Sequence, residues 1–179
     1  MKKVICLIGA FDTKGPEYAF VRERILERGH DVLTVNTGVL GTTDLFPVDV
    51  EAGAVAAACG GNIESLRSER DRGAAMKLMC AGAAAIGQSL HKEGRFDAIM
   101  GMGGTGGTAV ITAAMRPLPI GVPKICVSTA AAGDVAAYVD TSDIVMVPSV
   151  VDVSGINRIS RIIYARAAGA ICGMAEAGT

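Results

Sequence analysis

The sequence contains no tryptophan, only four phenylalanines and only three tyrosines. A core built on aromatic rings is excluded, and burial falls to Val, Ile, Leu, Ala and Met. Neither sign of charge is in excess: 17 basic and 18 acidic residues leave a net charge of −1. No broad basic surface exists to attract a polyanion, so nucleic acid is not an expected partner. No run of like charges marks a solvated tail. Cysteine pairs are absent as well. Cys6, Cys59, Cys80, Cys126 and Cys172 form no CxxC spacing and are odd in number. They read as small apolar fillers of a protein kept in a reducing compartment. Long apolar runs are lacking. The longest uncharged stretch, Ala98 to Met115, is interrupted by five glycines and does not read as a membrane span. The first apolar run is short and is followed at once by Asp12 and Lys14, unlike a signal peptide. A cytoplasmic protein with no membrane partner is the expectation.

Half of the residues are hydrophobic, and 23 are glycine. A single domain over residues 1–179 is expected, and a chain of that length buries about 70% of its unfolded surface. Val4 to Ala10 reads as a buried parallel strand. Pro16 suits the first position of a helix that stops at Gly29. Val32 to Val35 is a second strand. Residues 38–55 are rich in loop formers, a length that marks function or mobility. A short helix at Val55 to Cys59 and one long helix, from Ile63 or Ser68 to Lys92, come next. Phe96 to Met102, Pro123 to Val127 and Ile144 to Val147 are strands three to five, with a helix at Thr105 to Met115. Ile156 to Met174 closes the chain, and Ser154 or Gly155 would cap it. The alternation predicts a Rossmann-like, doubly wound parallel sheet of about five strands with helices on both faces. The uncharged tail from Ala167 to Met174 suits close packing against this domain, a second copy or a further domain.

In such sheets ligands bind beyond the carboxyl ends of the strands, where strand order reverses. After strand three comes Gly101-Met102-Gly103-Gly104-Thr105-Gly106-Gly107-Thr108. Glycine permits positive φ and close backbone approach to a ligand. Successive amides at a helix start then form a cradle for phosphate or carboxylate, and the threonine hydroxyls add donors. A purely structural turn would need one or two of these glycines. The spacing is not that of a Walker loop, and the position is wrong for a dinucleotide fingerprint.

After strand one, Asp12 suits Mg²⁺ or a ligand hydroxyl, Lys14 a phosphate, and Thr13 a cap or a phosphate; Gly15 completes the turn. With strand order 2-1-3-4-5 this loop faces the glycine turn. Ser128 and Thr129 after strand four, and Ser154 and Asn157 after strand five, would form the rim. Arg158, in the first turn of the last helix, opposes the dipole and calls for an anion. Arg67, Arg70, Arg72 and Lys77 alternate with acids, the pattern of a solvated face. His30 and His91 read as surface or capping residues. No zinc spacing and no nucleophile elbow are present.

Three segments together resemble a known family: Gly9 to Glu17, Met100 to Thr108, and Pro148 to Asn157. The chain looks like the N-terminal domain of the family named for the tomato mosaic virus resistance protein, over nearly its whole length. That resemblance implies an ATP-binding domain that tends to form homodimers. In longer members a TIM-barrel-like domain follows. The plant member blocks viral RNA replication by binding the viral replication protein. Nucleotide binding carries over to Asp12, Thr13, Lys14 and Gly15, and to Gly103, Gly104, Thr105, Gly106, Gly107 and Thr108; virus inhibition does not. Two other readings stand beside it. One is an enzyme acting on a small phosphorylated or carboxylated metabolite through Asp12, Lys14 and Asp134. The other is a scaffold in which the glycine turn serves packing alone.

Overall fold

The computed structural model describes residues 1–69 and 71–178. β1 (Val4–Gly9) leads into α1 (Phe11–Glu27) and β2 (Asp31–Asn36). Three helices follow, α2 (Ala52–Ala57), α3 (Ile63–Glu69) and α4 (Arg72–Lys92). β3 (Ala98–Gly103), α5 (Thr105–Met115), β4 (Lys124–Ser128), a 3₁₀ turn (Thr129–Ala132) and α6 (Ala136–Val139) come next. β5 (Val145–Pro148) and α7 (Arg158–Ala177) complete the chain. The strands form one all-parallel sheet in the order β2-β1-β3-β4-β5, the Rossmann-like arrangement expected.

Side-chain alternation along the strands explains the two layers. Cys6 and Ile8 of β1, Ile99 of β3 and Cys126 of β4 face a core made with α2, α4 and α5. Ile5 and Leu7, Met100 and Met102, and Ile125 and Val127 face the opposite core, made with α1 and α7. Each central strand is therefore apolar on both faces, as a covered parallel sheet requires.

Several expectations need correction. The single long helix is two, because the Asp71 carboxylate caps α4 by accepting the amides of Gly73 and Ala74. Gly82 sits inside α4 without breaking it: a Cβ there would lie 2.1 Å from the Val55 carbonyl oxygen, so glycine lets α4 rest on α2. The cap of α7 is neither Ser154 nor Gly155. Asn157 accepts the amides of Ile159 and Ser160, while the Ser160 hydroxyl accepts the Asn157 amide. α1 begins before Pro16, with a non-helical break at Lys14. His30 is not a surface residue. It is buried, and its Nδ1 accepts the Lys3 amide, so Nε2 carries the proton and donates to Glu176. Of the three packings open to the uncharged tail, this domain takes Ala167, Ala168, Ile171 and Cys172, which are buried in its own core. Among the described residues no helix is long and apolar enough to cross a membrane.

Candidate functional site

Strand order reverses between β1 and β3, and the main-chain pairing of these strands ends at Ile8 and Gly101. Beyond that point the strands are held by a side chain. The Tyr18 hydroxyl accepts the Met102 amide at 2.7 Å and lies 2.7 Å from the Ile8 carbonyl and 2.9 Å from the Met102 carbonyl. Burial pushes the Tyr18 phenol well up, so its proton stays available for one of the two carbonyls.

A crevice of about 690 Å³ opens at this carboxyl edge. The β1–α1 turn supplies Ala10, Asp12 and Thr13, and the start of α5 supplies Gly106, Gly107 and Val110. The segment after β2 supplies Thr37 to Leu40, and α3 and α4 close the far side with Leu66, Arg67, Asp71, Arg72, Met76 and Met79. The volume lies within the range of about 300–1,000 Å³ usual for small-molecule sites.

The glycine turn divides into two jobs. A Cβ on Gly101 would lie 2.5 Å from Ile111 Cγ2 and 2.7 Å from the Ile8 carbonyl oxygen, and one on Gly103 would lie 3.0 Å from Gly107 Cα. These two glycines let α5 press onto β3. A Cβ on Gly107 would meet nothing within 4 Å, and one on Gly104 only the Thr129 hydroxyl at 3.9 Å. Packing does not require glycine at either. None of the turn's glycines has positive φ, contrary to expectation; close approach is their use. No side chain caps the start of α5 behind Gly104. The first amides of that helix have no helical partner, and residues Gly106 and Gly107 line the crevice.

Asp12 lies opposite. Its Oδ2 accepts the Leu40 amide at 3.0 Å, and its Oδ1 is buried with no partner among the described residues. Gly38 makes room for it, since a Cβ there would lie 2.2 Å from Oδ1. Such a group fits a ligand hydroxyl or a Mg²⁺ ion carried in by a phosphate. Among the described residues no group of three or more His, Cys, Asp or Glu side chains is placed to hold a metal ion.

The other expected residues disperse. Lys14 is absent from the crevice wall; its ammonium donates in a close contact to the Val153 carbonyl. A Cβ on Gly15 would meet the Thr43 hydroxyl at 2.8 Å, so that glycine serves packing. Thr105 is exposed at the start of α5. Thr108 is fully buried, donating to the Gly104 carbonyl and paired with the Ser128 hydroxyl. Ser128 also accepts the Ala130 amide. Thr129 and Ser128 border a second, smaller cavity of about 240 Å³, with Ser149 to Asp152, on the β4–β5 side. Ser154 is exposed, and Asn157 is engaged as a helix cap. Asp134 accepts the Ala136 amide just before α6 and lies outside the crevice wall. Arg158 is exposed and has no ion-pair partner among the described residues.

Sequence reading missed two things. Arg67 and Arg72 are not merely a solvated face, because both line the crevice; Arg67 also donates to the Val39 carbonyl. Arg70 lies outside the described residues. Asn36 is the second omission. Fully buried at the end of β2, it accepts the Phe11 and Gly38 amides and donates to Gly41 and Glu51. It thereby sets both the β1 turn and the segment after β2. A lone amide residue closing an apolar strand was the only trace of it.

A UPF0261 protein of Clostridium tetani is 43% identical over 176 residues, covering 98% of this chain and 43% of the relative. One from Mesorhizobium japonicum is 44% identical over 173 residues, covering 97% and 42%. The ToMV resistance protein Tm-1(GCR237) of Solanum lycopersicum is 32% identical over 186 residues, covering 96% and 24%. The chain thus spans under half the length of the curated relatives it matches. Residues 3–179 match the model described as "Uncharacterised protein family (UPF0261) N-terminal domain", and the chain belongs to that family.

Proposed function

We propose that the crevice binds a nucleotide, ATP being the first candidate, with its phosphates on the amides at the start of α5. The observation that carries this reading is the uncapped helix start at Gly106 and Gly107, opening onto a cavity at the point where strand order reverses. A positive helix end favours an anion, and Arg67 and Arg72 stand on the opposite wall. Val39, Leu66, Met79 and Val110 supply apolar surface on which a base can lie. The Asp12 carboxylate suits a ribose hydroxyl or phosphate-bound Mg²⁺. ATP as the specific ligand rests on the family resemblance; anion binding rests on the residues.

The two alternatives have less support. An enzyme using Asp12, Lys14 and Asp134 together needs them in one place, and only Asp12 lines the crevice. A scaffold whose turn serves packing alone explains Gly101 and Gly103 but leaves Gly107 without a reason.

Gly107→Val tests the proposal. Its side chain meets no protein atom at Cβ yet intrudes on the crevice. The variant should keep its melting temperature and lose the calorimetric signal and thermal shift on adding ATP with Mg²⁺. Normal ATP binding by Gly107→Val would place the phosphates elsewhere.

A further inference from the structure

α1 touches two parts of the molecule at once. Asp12 and Thr13 line the crevice, while the next residue, Lys14, reaches the other way and grips the Val153 carbonyl. One turn later Glu17, fully buried, accepts the Gly155 amide through Oε1. The chain between Val150 and Gly155 is therefore pinned to α1 at two points.

The pinned segment carries backbone strain. Val150, a β-branched residue, has φ of 65°, and Gly155 has φ of 76°, so left-handed backbone bounds the segment at both ends. For Val150 that is a strained conformation, held only while the surroundings enforce it. Under the segment, Glu17 Oε2 and the Tyr164 hydroxyl are buried with no partner among the described residues. Both gain when the segment lifts and water reaches them. On the α1 side the break lies at Lys14 itself, with φ −130° and ψ 27°, and Pro16 two residues on lacks an amide hydrogen. Phe11 and Asp12 stay anchored by Asn36 and the Leu40 amide, so the freedom at this break belongs to Lys14 and its flexible side chain.

We propose that Lys14 is a switch: an anion seated at Gly106 and Gly107 draws its ammonium off Val153, and the segment from Val150 to Gly155 loosens. This rests on the crevice being an anion site. A lysine is a point charge on a flexible stem, and a phosphate carrying two negative charges outcompetes one neutral carbonyl for it. The β4–β5 cavity, walled by Val150 to Asp152, changes shape in response.

Amide hydrogen exchange on the full chain, followed residue by residue, tests the switch, with ATP and Mg²⁺ as the probe. Saturating ATP should speed exchange of the Gly155 amide and its neighbours about tenfold or more, the loss of one charged hydrogen bond. Lys14→Met should show the fast rates without ATP and respond no further. ATP that binds by calorimetry yet leaves those rates unchanged or slower overturns the proposal. So does Lys14→Met exchange at wild-type rates. If ATP does not bind at all, the crevice reading fails and the ligand-driven half of the switch falls with it. The unliganded comparison of Lys14→Met with wild type then decides whether Lys14 holds the segment. Should Lys14→Met fail to fold, the wild-type measurement with ATP still decides the ligand-driven half.

Discussion

Tyr18 holds β1 and β3 together past the end of their ladder, its hydroxyl accepting the Met102 amide at 2.7 Å. Both residues are fully buried, in the core formed with α1 and α7. Tyr18→Phe would leave the Met102 amide unpaired at a site water does not reach. We expect a loss of about 1–3 kcal/mol, measured by urea denaturation, with the apolar packing against Phe11 retained.

The division of the glycine turn gives opposite expectations for one added methyl. Gly101→Ala forces a methyl group to within 2.7 Å of the Ile8 carbonyl oxygen and against Ile111, and overpacking of this kind costs about 1–3 kcal/mol. Gly107→Ala meets open space inside a helix and should be neutral or stabilising, by up to about 1 kcal/mol. Paired thermal melts check both. Equal losses at the two positions would mean that Gly107 also serves packing.

Lys124 is fully buried, and its ammonium uses all three protons, on the carbonyls of Pro119 and Val122 and on Asp143 Oδ1 at 2.6 Å. Partial burial pushes the Asp143 carboxyl up, but the Lys124 hydrogen bond, the Gly121 amide and the lysine's charge outweigh it and hold it below the usual range. Lys124→Met keeps the length of the side chain and strands three acceptors. A loss of about 2–4 kcal/mol in denaturant unfolding is expected, below the largest values for buried pairs because Asp143 is partly exposed.

The carboxyl end of α7 is tied to the β1–β2 edge through Glu176. Arg28 meets its carboxylate with two hydrogen bonds of 2.7 Å, and His30 with one of 2.8 Å. The Arg28 bonds first, then His30, hold the Glu176 carboxyl at about 2 against an ordinary 4.5. A carboxyl lowered by folding adds stability above its unfolded value and loses it as pH falls toward the folded one. Wild-type stability should therefore decline between about pH 4.5 and pH 2 through this group, and Glu176→Gln should flatten that part of the profile. Melting temperatures across the range, at low and high salt, check it. Because the cluster is exposed, salt should reduce the difference.

How far the site was legible follows from which interactions lie close in sequence. A strand followed by a glycine-rich helix start is local, so the turn from Gly101 to Thr108 was visible at once. Asp12 was visible as the polar residue of the first βα turn. The direction of Lys14 was not, because it depends on a carbonyl 139 positions away. Arg67 and Arg72 looked like solvated residues, since alternation of charges says nothing of which face meets a cavity. Thr108 and Ser128 looked like ligands, yet each satisfies the other inside the core.

Local pattern was enough to set the layered architecture. Short apolar runs alternating with helical periods admit one economical burial, a parallel sheet covered on both faces. It also determined that the carboxyl edge carries the polar loops, because strand and helix order fixes where βα turns emerge. What those loops do was set by the packed fold. It turned Lys14 away from the crevice, engaged Asn157 as a cap, buried Ser128, and brought α3 and α4 over the opening beside β1 and β3. Side-chain partners across a sheet edge are set by long-range packing and hydrogen bonding, and no local pattern encodes them.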